Sequence, residues 1–594
     1  MGAENAILIV KIDGVDVEAP IEPTLEEISI VSEWGDDISE AEITTSRFTF
    51  GLSATTKIKE FINNNGRLVG CPIEIHISNG TVQQLVFDGF INTKTVEFTG
   101  CYQVSCDVEK RYGVSVFAGR AQATTFDSLY QDGFISDSDF IYVPTVKNYF
   151  DGLETAILSI TLFTLSKELY ESIERFQKAI SEAVKTIPDI IAGAAVEIAK
   201  VGQIAAIILQ LIFQLAYIIA IIIAIIKLIK DLLEIFFPPI RYYATMKYVD
   251  MWRAFCNKLG LSFESTIYES QLYGNSAYLP VQDTKGSRQQ SGGLGFPQAL
   301  DPIYNVASFI ENEKKKYNAK YKITGNVLRF EREDYWEEFA NYELPDVVSD
   351  QDAGDNVWRD NSEEFSGVYK INFQTDPSDL NTGFNYKGTN VIVSTQVATV
   401  DPNYEDFRLD TGGIEIALAE ARATRKDELN GFEKFLRGIL RFVDSLTGFL
   451  GNGTNFASKI TNRIGAIYLS DNIVTVPRML ILSGNKLQAN QSTILTARNL
   501  WQGFHYIRSF DPSVNPNPYQ FWLFSNVQIP YCFDDQQTLE SNNFFNTVND
   551  GSGEVRRNEY FIDGDGAKMD FRIRKTGDEI DTNFVTNIYE GGNT

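Results

Sequence analysis

The run VGQIAAIILQLIFQLAYIIAIIIAII, from Val201 to Ile226, contains no charged residue. At ~1.5 Å per residue a helix of that length reaches about 39 Å, enough to cross a hydrocarbon layer of ~30 Å. Hydropathy alone therefore favours a membrane-spanning helix. The alternative is a helix buried inside a large protein or along the axis of an oligomer. Gln203, Gln210 and Gln214 are spaced by seven and four, so they share one helical face. Facing lipid they are costly, whereas across a symmetry axis they can pair. The flanks ESIERFQKAI and KLIKDLLEIFF are charged and amphipathic, as in soluble bundles. Together with the acidic, loop-rich remainder, they favour burial by protein. Gln203, Gln210, Gln214, Tyr217 and Ile221 are the candidates for a lumen, axis or membrane contact.

The 594 residues exceed what one core holds, so three or more domains are expected. Phe (41) and Tyr (27) are abundant, which suits strand-rich domains. A net charge of −27 repels phosphate, arguing against sequence-independent nucleic-acid binding at the free surface. An acidic wall would still suit a channel through which DNA slides. The five cysteines, Cys71, Cys101, Cys106, Cys256 and Cys532, form no CxxC and read as reduced thiols of a cytoplasmically made protein. The start, MGAENAILIVKIDG, matches neither a signal peptide nor, with Ala6, a myristoylation signal.

Along the chain, residues 1–150 read as β: AILIVKI, AEITTSRFTFGL, CPIEIHI, TVQQLVFDGFI and YQVSCDVEKRYGVSVF. Asn79-Gly80 and Asp88-Gly89 are turn signals, and TTKIKEFINN is one short helix, so a barrel or sandwich is expected. Residues 151–240 form an inserted helical, hydrophobic block ending at Pro238-Pro239. Residues 241–345 read as α/β. TMKYVDMWRAFCNKL and NVASFIENEKKKYN are helices, GLSFEST is a strand, and AKYKITGNVLRFERED is a hairpin. Residues 346–594 are β-rich, with a long helix expected over 414–450.

Motifs for chemistry are missing. There is no HExxH, Walker A loop, GxSxG or strand-borne GxGxxG. His76 and His505 sit in strand-like aromatic stretches and read as ordinary packed or surface histidines. Asp563-Gly564-Asp565-Gly566 fails as a calcium loop, because the twelfth position is Arg574, and reads as a hairpin turn. Glu333, Asp334, Glu337 and Glu338 beside Tyr335 and Trp336 suggest a glycosidase only weakly, and a solvated hairpin end is the simpler account. Lys314, Lys315 and Lys316 read as a solvated helix face. No cofactor, metal site or catalytic residue is expected.

The layout over 245–334, from TMKYVDMWRAFCNKLGLSFES to ALDPIYNVASFIENEKKKYNAKYKITGNVLRFERED, resembles the α/β domain of phage tail and baseplate hub proteins. The stretch FTFGLSATTKIKEFINNNGRLVGCPIEIHI, with the phrase Phe87-Asp88-Gly89-Phe90-Ile91, is similar to that family's first barrel. The resemblance covers about half the chain, mainly 1–145 and 241–340. It implies an α+β multidomain protein: β-barrel hub domains plus an α/β domain, here with an inserted hydrophobic helical segment. It also implies a non-enzymatic virion protein of the tail, made in the host cytoplasm, that gates genome ejection. The implied partners are sister copies in a homotrimer, tail-tube and tape-measure proteins, and tail-tip or receptor-binding proteins. DNA would pass without specific binding, and contact with a host membrane is a further expectation. The competing expectations are a pore-forming protein and an envelope-degrading enzyme.

Overall fold

The computed structural model describes residues 7–24, 27–34, 42–45, 47–78, 83–110, 114–147, 240–281, 305–324, 326–344, 357–361, 366–376, 388–395, 413–429, 455–469, 474, 476–506, 521–531, 533–547, 551–561, 566–575 and 585–591, with single positions between 434 and 444. Gln203, Gln210, Gln214, Tyr217 and Ile221, and the whole helical block around them, lie outside the described residues. Among the described residues no helix is long and apolar enough to cross a membrane.

Short alternating segments at the two ends of the chain build one sheet of 13 strands. Its amino-terminal half runs through Glu42–Thr45, Val108–Lys110, Gln83–Ile91, Cys71–Ser78, Ile7–Ile12 and Val15–Val17. The carboxy-terminal half holds Val357–Asp360, Phe521–Ile529, Ala567–Arg574 and Ser552–Phe561, and the halves join where Ser29–Glu33 pairs antiparallel with Ser552–Phe561. One core serves both halves: Ile12, Ile73 and Val108 share a cluster with Leu344, Val527 and Phe571. The described strands follow an open path from Val357–Asp360 to Val15–Val17, and no closed barrel is seen among them.

Helix Leu52–Asn65 covers the amino-terminal half, matching the TTKIKEFINN expectation but longer. Asp88-Gly89 is no turn. It lies inside the strand Gln83–Ile91, where a Cβ on Gly89 would sit 2.2 Å from the Glu109 carbonyl oxygen. The glycine serves close approach of a neighbouring strand. Asn79-Gly80 lies outside the described residues. VSVF, expected as strand, begins the helix Val114–Ala123, whose Phe117 and Ala121 face the other core.

The second sheet has 10 strands, including Phe140–Lys147, Arg241–Lys247, Ser276–Leu279, Arg478–Ser483, Gly413–Arg422, Val368–Gln374 and Asn390–Thr395. The helix expected at 414–450 is wrong over 413–422, which is strand, parallel to both Val368–Gln374 and Arg478–Ser483. Alternation decides this. Ile416, Leu418, Glu420 and Arg422 point one way and are buried, while Glu415 and Ala417 are exposed. Good helix formers gave way to a half-buried sheet position.

Between the sheets lies the α/β layer. Helix Tyr248–Leu259 ends at Gly260, whose φ of +73° is a left-handed stop. Strand Ser262–Glu264, helix Val306–Tyr317 and hairpin strands Ala319–Thr324 and Val327–Arg332 follow as expected. The three strands form a small sheet with Val327–Arg332 central. Trp252 fills the space between helices and sheet, with its ring 4.8 Å from Phe330 and 5.4 Å from Phe309. That core is continuous with the second sheet through Tyr278, Tyr369 and Leu418.

Candidate functional site

The interior of the α/β layer carries more charge than its sequence suggests. Lys316 was expected on a solvated face, yet its side chain has no exposed area. The helix explains why: Val306, Phe309, Ile310, Glu313 and Tyr317 repeat at three- and four-residue spacing, so Glu313 interrupts a buried stripe and Lys316 borders it. Lys316 Nζ donates to Glu313 Oε1. The same ammonium lies 2.8 Å from Glu420 Oε2 of the second sheet and 4.0 Å above the Tyr248 ring. Tyr248 Oη donates to Glu420 Oε1 at 2.9 Å, and Tyr268 Oη donates to Glu313 Oε2. The Asn312 amide oxygen also accepts from the Ala419 backbone at 2.8 Å. One helix is thus held to one strand by charge and by backbone bonding.

Burial raises the Glu313 carboxyl to about 7, with Lys316 opposing and Glu420 adding to the rise. The phenols of Tyr248, Tyr268 and Tyr317 are pushed well above their ordinary value by burial and by these carboxylates. Lys316 stays protonated, because its two carboxylates outweigh the penalty of burial. His505 is not on a strand. It ends the π-helical turn Trp501–His505, is buried, and places Nε2 at 3.4 Å from the Lys316 carbonyl oxygen. Burial lowers it to about 4, so it is neutral near pH 7. His76 lies in Cys71–Ser78, with Nε2 3.0 Å from Glu74 Oε2.

A second cluster ties the hairpin to the 13-stranded sheet. Glu554 Oε2 accepts from Arg572 Nε at 2.9 Å and from Nη2 at 2.5 Å. Its Oε1 accepts from Lys320 Nζ at 3.2 Å and from Asn543 Nδ2 at 3.1 Å. Lys320 also lies 3.0 Å from Glu333 Oε1. Lys322 Nζ reaches the Asn543 amide oxygen at 2.8 Å and lies 5.1 Å from the Trp336 ring centre. Burial pushes Glu554 up, but Lys320, Arg572 and Arg556 together hold it well below the usual carboxylate range. Within the acidic group at 333–338 only Glu338 is exposed, so the group as a whole is no solvated hairpin end. Glu333 is buried against Lys320, and Glu337 takes Arg574 at 2.6 Å and Ser552 Oγ at 2.7 Å.

In both clusters the carboxylates are buried and paired with cations. Among the described residues no group of three or more His, Cys, Asp or Glu is placed to hold a metal ion. Cys71, Cys101, Cys106 and Cys256 carry free thiols, and burial pushes Cys71, Cys106 and Cys256 to about 12. Such thiols pack rather than react. The turn at Asp563-Gly564-Asp565 lies outside the described residues, but Tyr560 pairs with Ala567 on either side of it, as a hairpin requires.

No protein-family model matches the chain, and no curated protein matches it. Among solved structures it is similar to prophage tail protein gp18 from Listeria monocytogenes EGD-e, at 7% identity and a TM-score of 0.31, covering 95% of this chain and 94% of that one. It is similar to the tail protein from Neisseria meningitidis MC58, at 9% identity and 0.30, covering 96% and 97%. The 43 kDa tail protein of prophage MuSo2 from Shewanella oneidensis gives 9% identity and 0.30, covering 96% and 98%.

Proposed function

We propose that this chain is a non-enzymatic structural component of a viral tail: a hub or tail-tip protein joining the tail tube to the distal tip and gating genome ejection. The α/β layer is the observation that carries the reading. The segments that resemble hub proteins over 245–334 fold together as helix, strand, helix and hairpin around Trp252. That layer is fixed to the 10-stranded sheet through Glu420 and to the 13-stranded sheet through Glu554. A part that passes load between a tube and a tip needs such fixed joints more than it needs an open cleft.

In this reading the copies form a homotrimeric ring, with tail-tube, tape-measure and tip proteins as neighbours and DNA passing without specific contact. Gln203, Gln210, Gln214, Tyr217 and Ile221 then line the axis, and the segment carrying them meets the host membrane on opening. The test is imaging of the purified full-length chain, with antibody labelling of intact particles. A three-fold ring and label at the distal tail end are expected. A lone, detergent-requiring chain with no label on particles would overturn the proposal, and release of sugar or peptide from envelope material would replace it with an enzyme.

A further inference from the structure

The contact between helix Val306–Tyr317 and strand Gly413–Arg422 has an uneven charge count. Two carboxylates, Glu313 and Glu420, face one ammonium, Lys316, and none of the three side chains has exposed area. Among the described residues, the other groups packed there are mostly neutral. Tyr248, Tyr268, Tyr273 and Tyr317 are kept as neutral phenols by burial. Tyr278 meets Tyr248 edge-on. His505 is neutral near pH 7. The one other buried cation on that strand face, Arg422, two residues from Glu420, turns Nη2 to the Ser492 carbonyl and sets its guanidinium 6.0 Å from the Phe373 ring centre. On the outer side of the helix, Lys314 pairs with Glu311. An extra negative charge in so dry a place is strongly disfavoured, and binding one proton removes it.

We propose that this contact is a proton-dependent latch: the Glu313–Lys316–Glu420 cluster holds one extra proton on the acid side of neutrality, and losing it on the alkaline side loosens the helix from the sheet. The proton comes from solvent and adds to a carboxylate oxygen, and no other bond changes. Lys316 touches both carboxylates, so the proton is assigned to the cluster and not to one residue. The raised Glu313 carboxyl agrees with this. The sign follows. A carboxyl whose folded value lies above its ordinary 4.5 contributes stability that is present at low pH and lost as pH rises toward about 7. His505, lowered from 6.5 to about 4, works the other way as pH falls below 6.5. A variant lacking one carboxylate isolates the latch from that opposing slope.

The experiment compares full-length protein with Glu313→Gln across pH 4.5 to 8 by denaturant unfolding. The folding constant of the unaltered protein, divided by that of the variant, is expected to fall by up to tenfold per pH unit as pH rises toward 7, then level off. A constant ratio would overturn the latch. Glu420→Gln removes the same net charge from the other side and is expected to abolish the same slope; a retained slope also counts against it. If neither variant folds, infrared difference spectra of the unaltered protein decide. A buried carboxylic acid C=O band present at pH 6 and lost at pH 9 supports the latch, and its absence at pH 6 overturns it.

Discussion

The two buried clusters of the α/β layer are alike in burial and opposite in charge balance. At Glu313 and Glu420, two carboxylates share one lysine. At Glu554, one carboxylate is ringed by Lys320, Arg572 and Arg556, with Glu333 on the far side of Lys320. The first cluster gains from an added proton, and the second is harmed by one. Burial alone therefore does not set the pH response of a joint, since the local count of charges does. Both clusters fasten the same layer, one to each large sheet, so acid and alkali strain the molecule at different places.

The largest expected effect is Lys316→Met. It leaves two carboxylates without their cation, and unfolding in urea at pH 8 should show a loss of about 5 kcal/mol. The loss should shrink markedly at pH 5, where the raised Glu313 carboxyl takes a proton. An equal loss at both values would break the contrast. Glu554→Gln comes next, at about 3–4 kcal/mol, from Arg572 left without its carboxylate and Lys320 left with Glu333 alone. Here the loss should vanish only at strongly acid pH, because the native group is held below the usual range and its stabilisation disappears as pH falls below 4.5. Thr266→Val tests a neutral counterpart. Glu331 accepts from the Thr266 backbone at 2.9 Å and from its hydroxyl at 2.5 Å, so losing the hydroxyl should cost about 1–2 kcal/mol in a melting curve. The smallest effect is Asp132→Asn, opposite Lys258 on the surface at 2.9 Å, where less than about 0.5 kcal/mol is expected. A loss as large as that at Glu554 would mean that burial is not what gives the inner clusters their weight.

The sequence made some of this legible and hid the rest for physical reasons. The α/β layer could be read because its helices keep a three-to-four spacing and its hairpin alternates. Glu313 is also readable in principle, since it falls on the stripe of Val306, Phe309, Ile310 and Tyr317, although the adjoining run of three lysines reads as solvent-facing. Strand Gly413–Arg422 reads as helix from its sequence because Ala, Glu, Leu and Arg favour helix, although Ile414, Ile416 and Leu418 alternate. The pairing of Ser29–Glu33 with Ser552–Phe561 could not be read at all. Local periodicity says which face a strand buries and nothing about which distant strand lies beside it. Glu554 and Lys320 were hidden for the same reason, being 234 positions apart.

The most direct measurement is amide hydrogen exchange resolved by region, corrected for the intrinsic effect of pH and compared at pH 6 and pH 8. Residues 306–317 and 413–422 should lose protection at the higher pH, while 319–324 and 552–561 keep theirs. Protection that is unchanged in both regions, or lost equally in both, would contradict the opposite charge balance of the two joints.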